Sequence, residues 1–115
     1  SACVCIAPKT DESYVQSAHE VFVGSVVSIR DEKSLGSKSW ALVEMTDAVK
    51  GNPPRYLSLF TLVGRSCAFN VKPGTAYLFF VGEDRRLHQC AGSRPFSRGQ
   101  DEQLLEKIRE YAKQP

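Results

Sequence analysis

The chain has 115 residues, enough for one domain with a single core and a modest ratio of buried to exposed surface. Fifteen Lys and Arg against thirteen Asp and Glu leave a formal charge of +2, too balanced for electrostatics alone to carry binding to nucleic acid or an anionic membrane. No apolar run approaches the ~18 residues of a membrane span, so no transmembrane segment is expected.

The first strand is expected from Glu20 to Ile29, a β-branched and aromatic run with Gly24 in its interior, where a bulge or the tight curve of a barrel would fall. A polar loop from Arg30 to Ser39, punctuated by Gly36, leads into a second strand from Trp40 to Val49. Lys50-Gly51 and then Asn52-Pro53-Pro54 end it, because proline neither donates to a ladder nor continues a strand interior. Tyr56 to Val63 alternates Leu57, Leu59, Thr61 and Val63 against Ser58, Phe60 and Leu62, which predicts a third strand covered on most of both faces.

Pro73-Gly74 is a turn signal, and Thr75 to Val81 follows as an aromatic fourth strand. After a short turn from Gly82 to Arg86, Leu87-His88-Gln89-Cys90 is expected to close a hairpin as the fifth strand. Gly92 and Pro95 then break the chain before a helix from Asp101 to Lys113. Its Leu104, Leu105, Ile108 and Tyr111 make one apolar stripe, and Ser97 with Gln100 resembles a capping box. Five strands, a bulged first strand and one outlying helix suit a single domain over residues 1–115, mostly β: a five-stranded closed barrel of the OB type with a C-terminal helix. A sandwich is the competing architecture.

Four cysteines, Cys3, Cys5, Cys67 and Cys90, favour a disulfide framework with three possible pairings. Adjacent Cys3 and Cys5 would be strained as a pair. A four-thiolate zinc site is disfavoured, since such sites use two Cys-x-x-Cys knuckles and this chain has one Cys-x-Cys and two isolated cysteines. The framework points to an oxidising location, secreted, periplasmic or at the cell surface. His19 and His88 are the only histidines and neither lies in a nucleophile motif, so a binding protein rather than an enzyme is expected, with no cofactor.

The ordered set Cys3-Val4-Cys5-Ile6-Ala7-Pro8, Phe22-Val23-Gly24, Val49-Lys50-Gly51, Ser66-Cys67, Tyr77-Leu78-Phe79-Phe80 and Leu87-His88-Gln89-Cys90 resembles the netrin-like module. It is most similar to the N-terminal domain of the tissue inhibitors of metalloproteinases. The resemblance implies an OB barrel with Cys3 bridged to Cys67 and Cys5 to Cys90. It also implies a protease-binding strip of Cys3, Val4 and Cys5, beside Gly64, Arg65 and Ser66. In that family the α-amine and carbonyl of the first cysteine chelate the target's catalytic zinc, and the next side chain enters the specificity pocket. Here those roles would fall to Cys3 and Val4.

Ser1 and Ala2 precede Cys3, so Cys3 could chelate only where it is the mature N-terminus. An amide nitrogen cannot take the amine's place. Lipidation of Cys3, which Ser-Ala-Cys also suggests, would consume the sulfur needed for its bridge. The family's third disulfide in this domain has no counterpart. The expected partner is thus a zinc metalloprotease. The alternative is a netrin-like binding module for another extracellular protein or a polysaccharide, for which Lys38, Arg85, Arg86, Arg94 and Arg98 would have to form a basic face. Binding of single-stranded nucleic acid, which needs exposed stacking aromatics in a basic groove, is not expected.

Overall fold

A computed structural model describes residues 3–6, 9–32 and 37–114. The elements run in the order α1 (Asp11–Ser17), β1 (Glu20–Glu32), β2 (Lys38–Lys50), β3 (Tyr56–Leu62), β4 (Ala76–Val81), β5 (Arg94–Pro95) and α2 (Glu102–Ala112). The strands form one antiparallel sheet in the order β3-β2-β1-β4-β5. Ser1, Ala2, Ala7, Pro8 and Gly36, all named in the sequence reading, lie outside the described residues.

The alternation of β1 sends apolar side chains to both faces and so builds two cores. Phe22 and Val26 join Val43, Leu57, Leu59, Phe79 and Leu87 on one face. Val21 and Val23 join Leu78, Phe80, Val15 of α1, and Leu105 and Ile108 of α2 on the other. Burying side chains of this size contributes about 2 kcal/mol each, so α2 is held chiefly by its stripe. Gly24 sits where the sheet bends: the β1–β2 register shifts between Val21 and Phe22, between Val23 and Gly24, and between Val26 and Ser28. A Cβ at Gly24 would lie 2.5 Å from Val43 Cγ1 and 3.0 Å from the Glu44 carbonyl oxygen, so any side chain there forces its β2 neighbours to shift.

Three expectations are corrected. The barrel is not closed. After β4 the chain turns through Gly82 to Arg85, whose φ of 60° ends the extended run, and crosses to the β3 edge. There the Phe60 N–H donates to the Arg85 carbonyl (3.2 Å) and the Leu87 N–H to the Phe60 carbonyl (2.6 Å), a single parallel bridge. The next bond to this segment comes from a side chain, Thr61 Oγ1 donating to the Leu87 carbonyl at 3.3 Å, so no ladder propagates.

The second correction follows from the first: Leu87 to Cys90 is not a strand. The short β5 pairs with β4 instead, and its Pro95 is tolerated because it lies on the sheet edge. Between them, Ser93 Oγ accepts from the Phe80 N–H at 2.9 Å and so stands in for a strand partner. Third, β3 is fully covered on one face only. Leu57, Leu59 and Thr61 are buried, whereas on the other face Tyr56 and Ser58 are exposed and Phe60 and Leu62 are half-buried, since both helices pack over β1 and β4 and leave the outer face of β3 partly to solvent.

Candidate functional site: a doubly anchored N-terminal strip

The site begins with how residues far apart in sequence come to lie side by side. Beyond β3 the chain leaves the sheet through Gly64 (φ 80°) and makes a tight turn in which the Ala68 N–H donates to the Arg65 carbonyl at 3.2 Å. Buried Thr61 fixes this turn: its Oγ1 accepts from the Phe69 N–H at 2.9 Å while donating to the Leu87 carbonyl. Gln89 then clamps the two segments together. Its backbone N–H donates to the Cys67 carbonyl (3.0 Å) and its side-chain Nε2 to the Ala68 carbonyl (2.9 Å).

Cys67 and Cys90 thereby become neighbouring anchor points. Cys3 is bonded to Cys67 with Cα atoms 4.8 Å apart, and Cys5 to Cys90 with Cα atoms 5.5 Å apart. These are the pairings implied by the resemblance to the netrin-like module. With every sulfur in a disulfide, the four-thiolate reading is set aside. The two bridges are also adjacent, Cys3 Sγ lying 3.6 Å from Cys90 Sγ.

What the bridges hold is an exposed apolar segment. Val4, between the anchors, is 82 % exposed, and Ile6 just beyond them is fully exposed. Gly64, Arg65 and Ser66, the turn before Cys67, are exposed as well, and with Val63, Ala68 and Asn70 they line a shallow open depression. The structure thus joins Cys3, Val4 and Cys5 covalently to the end of the Gly64-Arg65-Ser66 turn. A bridge at each end of one dipeptide step limits the freedom left for Val4 to lose on docking.

The motifs that carried the resemblance have structural work of their own. In Val49-Lys50-Gly51, Lys50 Nζ donates to the carbonyls of Val15 (2.8 Å) and Gln16 (3.2 Å), satisfying the C-terminal end of α1. At Gly51, φ 76°, a Cβ would lie 2.8 Å from the His19 carbonyl oxygen, so glycine is required. Sequence reasoning missed α1 itself, although Thr10 with Ser13 is its signal: Thr10 Oγ1 accepts from the Ser13 N–H at 3.2 Å.

Three of the five cations named for a basic face, Arg85, Arg94 and Arg98, are paired with carboxylates. Arg85 forms a two-pronged pair with the buried Glu20 (3.0 and 3.2 Å), Arg94 reaches Asp11 at 2.7 Å, and Arg98 binds Asp47 and Glu102. Lys38 lies 4.6 Å over the Phe60 ring and 5.5 Å over Trp40. The Arg98 hydrogen bond holds the Asp47 carboxyl below its ordinary range against the opposing effect of partial burial, with help from Thr46 and the charges of Arg98 and Arg109. This network ties α2 to the bulged part of β2 and serves the fold.

A partly open cleft of about 280 Å³ is lined by Lys9, Tyr14, Phe80, His88 and Cys90 among others. In it His88 Nδ1 accepts the Cys90 N–H at 3.0 Å, which assigns that nitrogen to orienting the anchor cysteine. His19 stands at the entrance to β1, its backbone N–H bonded to the Val81 carbonyl.

Among the described residues, no helix is long and apolar enough to cross a membrane. Compared with known proteins, the chain matches no family model, and no curated protein is significantly similar to it.

Proposed function

We propose that this chain inhibits zinc metalloproteases by laying the Cys3-Val4-Cys5 strip into the target's active-site cleft. The observation that carries the reading is Val4, a large apolar side chain held out in water between two cysteines that are each bridged to the body of the domain. An exposed valine forgoes about 1.5 kcal/mol of burial free energy, which an apolar specificity pocket would return. A strip already ordered by two covalent anchors loses little further entropy there. The exposed turn Gly64-Arg65-Ser66 would contact the rim of the same cleft.

Chelation of the target's zinc would fall to the amine and carbonyl oxygen of Cys3. The α-ammonium, with an ordinary pKa near 8, readily gives up its proton to solvent so that the neutral amine can donate its lone pair to zinc; the amide nitrogen that Cys3 forms with Ala2 has its lone pair delocalised into the carbonyl and cannot. The test is therefore inhibition of a panel of zinc metalloproteases by two forms of the protein, one beginning at Ser1 and one at Cys3. The expected result is inhibition by the Cys3 form alone, abolished when its amine is acetylated. In the Cys3 form, Val4→Gly should weaken inhibition about tenfold with the melting temperature unchanged. If neither form inhibits any member of the panel the reading fails, and the strip becomes the first place to look for a different extracellular partner.

A further inference from the structure

We propose that the two disulfides form an exchange relay, in which a thiol entering at Cys5 shifts the framework to a Cys3–Cys90 bridge and releases Cys5 and Cys67. Two observations carry it. Cys5 is the exposed member of the four, while Cys3, Cys67 and Cys90 are half-buried. Cys90, the sulfur that Cys5 would release, lies 3.6 Å from Cys3 Sγ in the neighbouring bridge, already in contact with the atom it would attack. All three half-buried sulfurs lie within 4.8 Å of one another, so the exchange needs side-chain rotation rather than unfolding.

The steps balance with a low-molecular-weight thiol, RSH, as reductant. Its thiolate attacks Cys5 Sγ, the Cys5–Cys90 bond breaks, and a Cys5–SR mixed disulfide and a Cys90 thiolate result. The Cys90 thiolate attacks Cys3 Sγ, forming Cys3–Cys90 and expelling the Cys67 thiolate. A second thiolate attacks the sulfur of the SR group, giving RSSR and a Cys5 thiolate, which takes up a proton as the Cys67 thiolate does. One disulfide of the original two has been reduced and the other has moved. Cys3 stays tethered, but Val4 now has an anchor on one side only, so the strip loses its order without leaving the domain.

The relay is independent of what the strip binds, and it is read without any protease. The full chain is treated with limiting reduced glutathione under folding conditions, quenched with acid, alkylated and mapped by mass spectrometry. The expected products are a glutathione adduct on Cys5 and a single-bridge species that is mainly Cys3–Cys90, with Cys5 and Cys67 alkylated. An adduct on Cys90, a single-bridge species that keeps Cys3–Cys67, or loss of both bridges together overturns the proposal. Cys67→Ser gives a second measurement, because it leaves Cys3 as a free thiol against Cys90 with no reductant present. The relay predicts Cys5–Cys90 and Cys3–Cys90 isomers in exchange; Cys5–Cys90 alone in the folded variant refutes it.

Discussion

Removing the disulfides one at a time, by Cys3→Ser with Cys67→Ser or by Cys5→Ser with Cys90→Ser, tests whether they act as one covalent unit. Taken alone, bridges spanning 64 and 85 residues would each restrict the unfolded chain by about 4.5 kcal/mol in the chain-entropy account. They do not act alone. With either bridge in place, the ring closed by the other runs from Cys3 to Cys5 and from Cys67 to Cys90, a loop of about 25 residues, and the second bridge adds only about 3.5 kcal/mol. Both single-bridge variants should therefore lose about 3.5 kcal/mol, near 15 °C in melting temperature for a domain of this size, despite their different spans. The variant lacking both should lose about 8 kcal/mol, more than the two single losses together. Urea denaturation followed by circular dichroism reads all three. Single losses differing by more than about 1.5 kcal/mol, or both below about 1 kcal/mol, would refute the shared-ring argument.

Three further outcomes are expected. Gly24→Ala drives a methyl group to within 2.5 Å of Val43 Cγ1 and should cost about 1–3 kcal/mol in the same denaturation assay. Arg85→Ala leaves the buried Glu20 carboxylate without its partner and should cost about 2–3 kcal/mol, more than Glu20→Gln, which keeps a neutral group in the same space. Because the folded-state pKa of Asp47 is depressed, its contribution is complete above the unfolded-state value near 3.8 and is lost as pH falls through the folded value. Urea midpoints of the native protein and Asp47→Asn should accordingly differ at pH 6 and converge as the pH drops below 4; a constant difference would place the effect elsewhere.

Much of the sheet was legible because its central strands carry unmistakable apolar runs. β1, β2, β3 and β4 fall within three residues of their expected limits, and α2 is one residue shorter at each end than expected. The errors have physical sources. β1 and β2 extend through Arg30-Asp31-Glu32 and Lys38 because that hairpin arm reaches past the core, where exposure on both sides removes the alternation that marks a strand. α1 buries only Val15, so seven residues offered no stripe to read. Leu87 to Cys90 looked like a strand because Leu87 is apolar and buried. Its neighbours, however, bond through the Gln89 side chain to Ala68 and through the Cys90 N–H to His88, contacts with no sequence period. At the site, the strip and its anchors were readable through the resemblance alone. The clamp by Gln89 and the Thr61 bond to the Leu87 carbonyl join segments more than twenty residues apart, which local pattern cannot reveal.

The two-sided burial of β1 has a consequence for how the sheet finds its alignment. A strand with one wet face is aligned by the cost of turning apolar groups toward water, because slipping by one residue exchanges its faces. Over Val21 to Gly24 both faces of β1 are dry, so polarity alone scarcely distinguishes the native pairing from its neighbour there. Volume must make the choice: in the native alignment the side chain that Gly24 lacks leaves the space filled by Val43, and a slip would bring a larger residue opposite it. The smallest residue of the central strand thus carries the alignment information that hydrophobicity normally supplies.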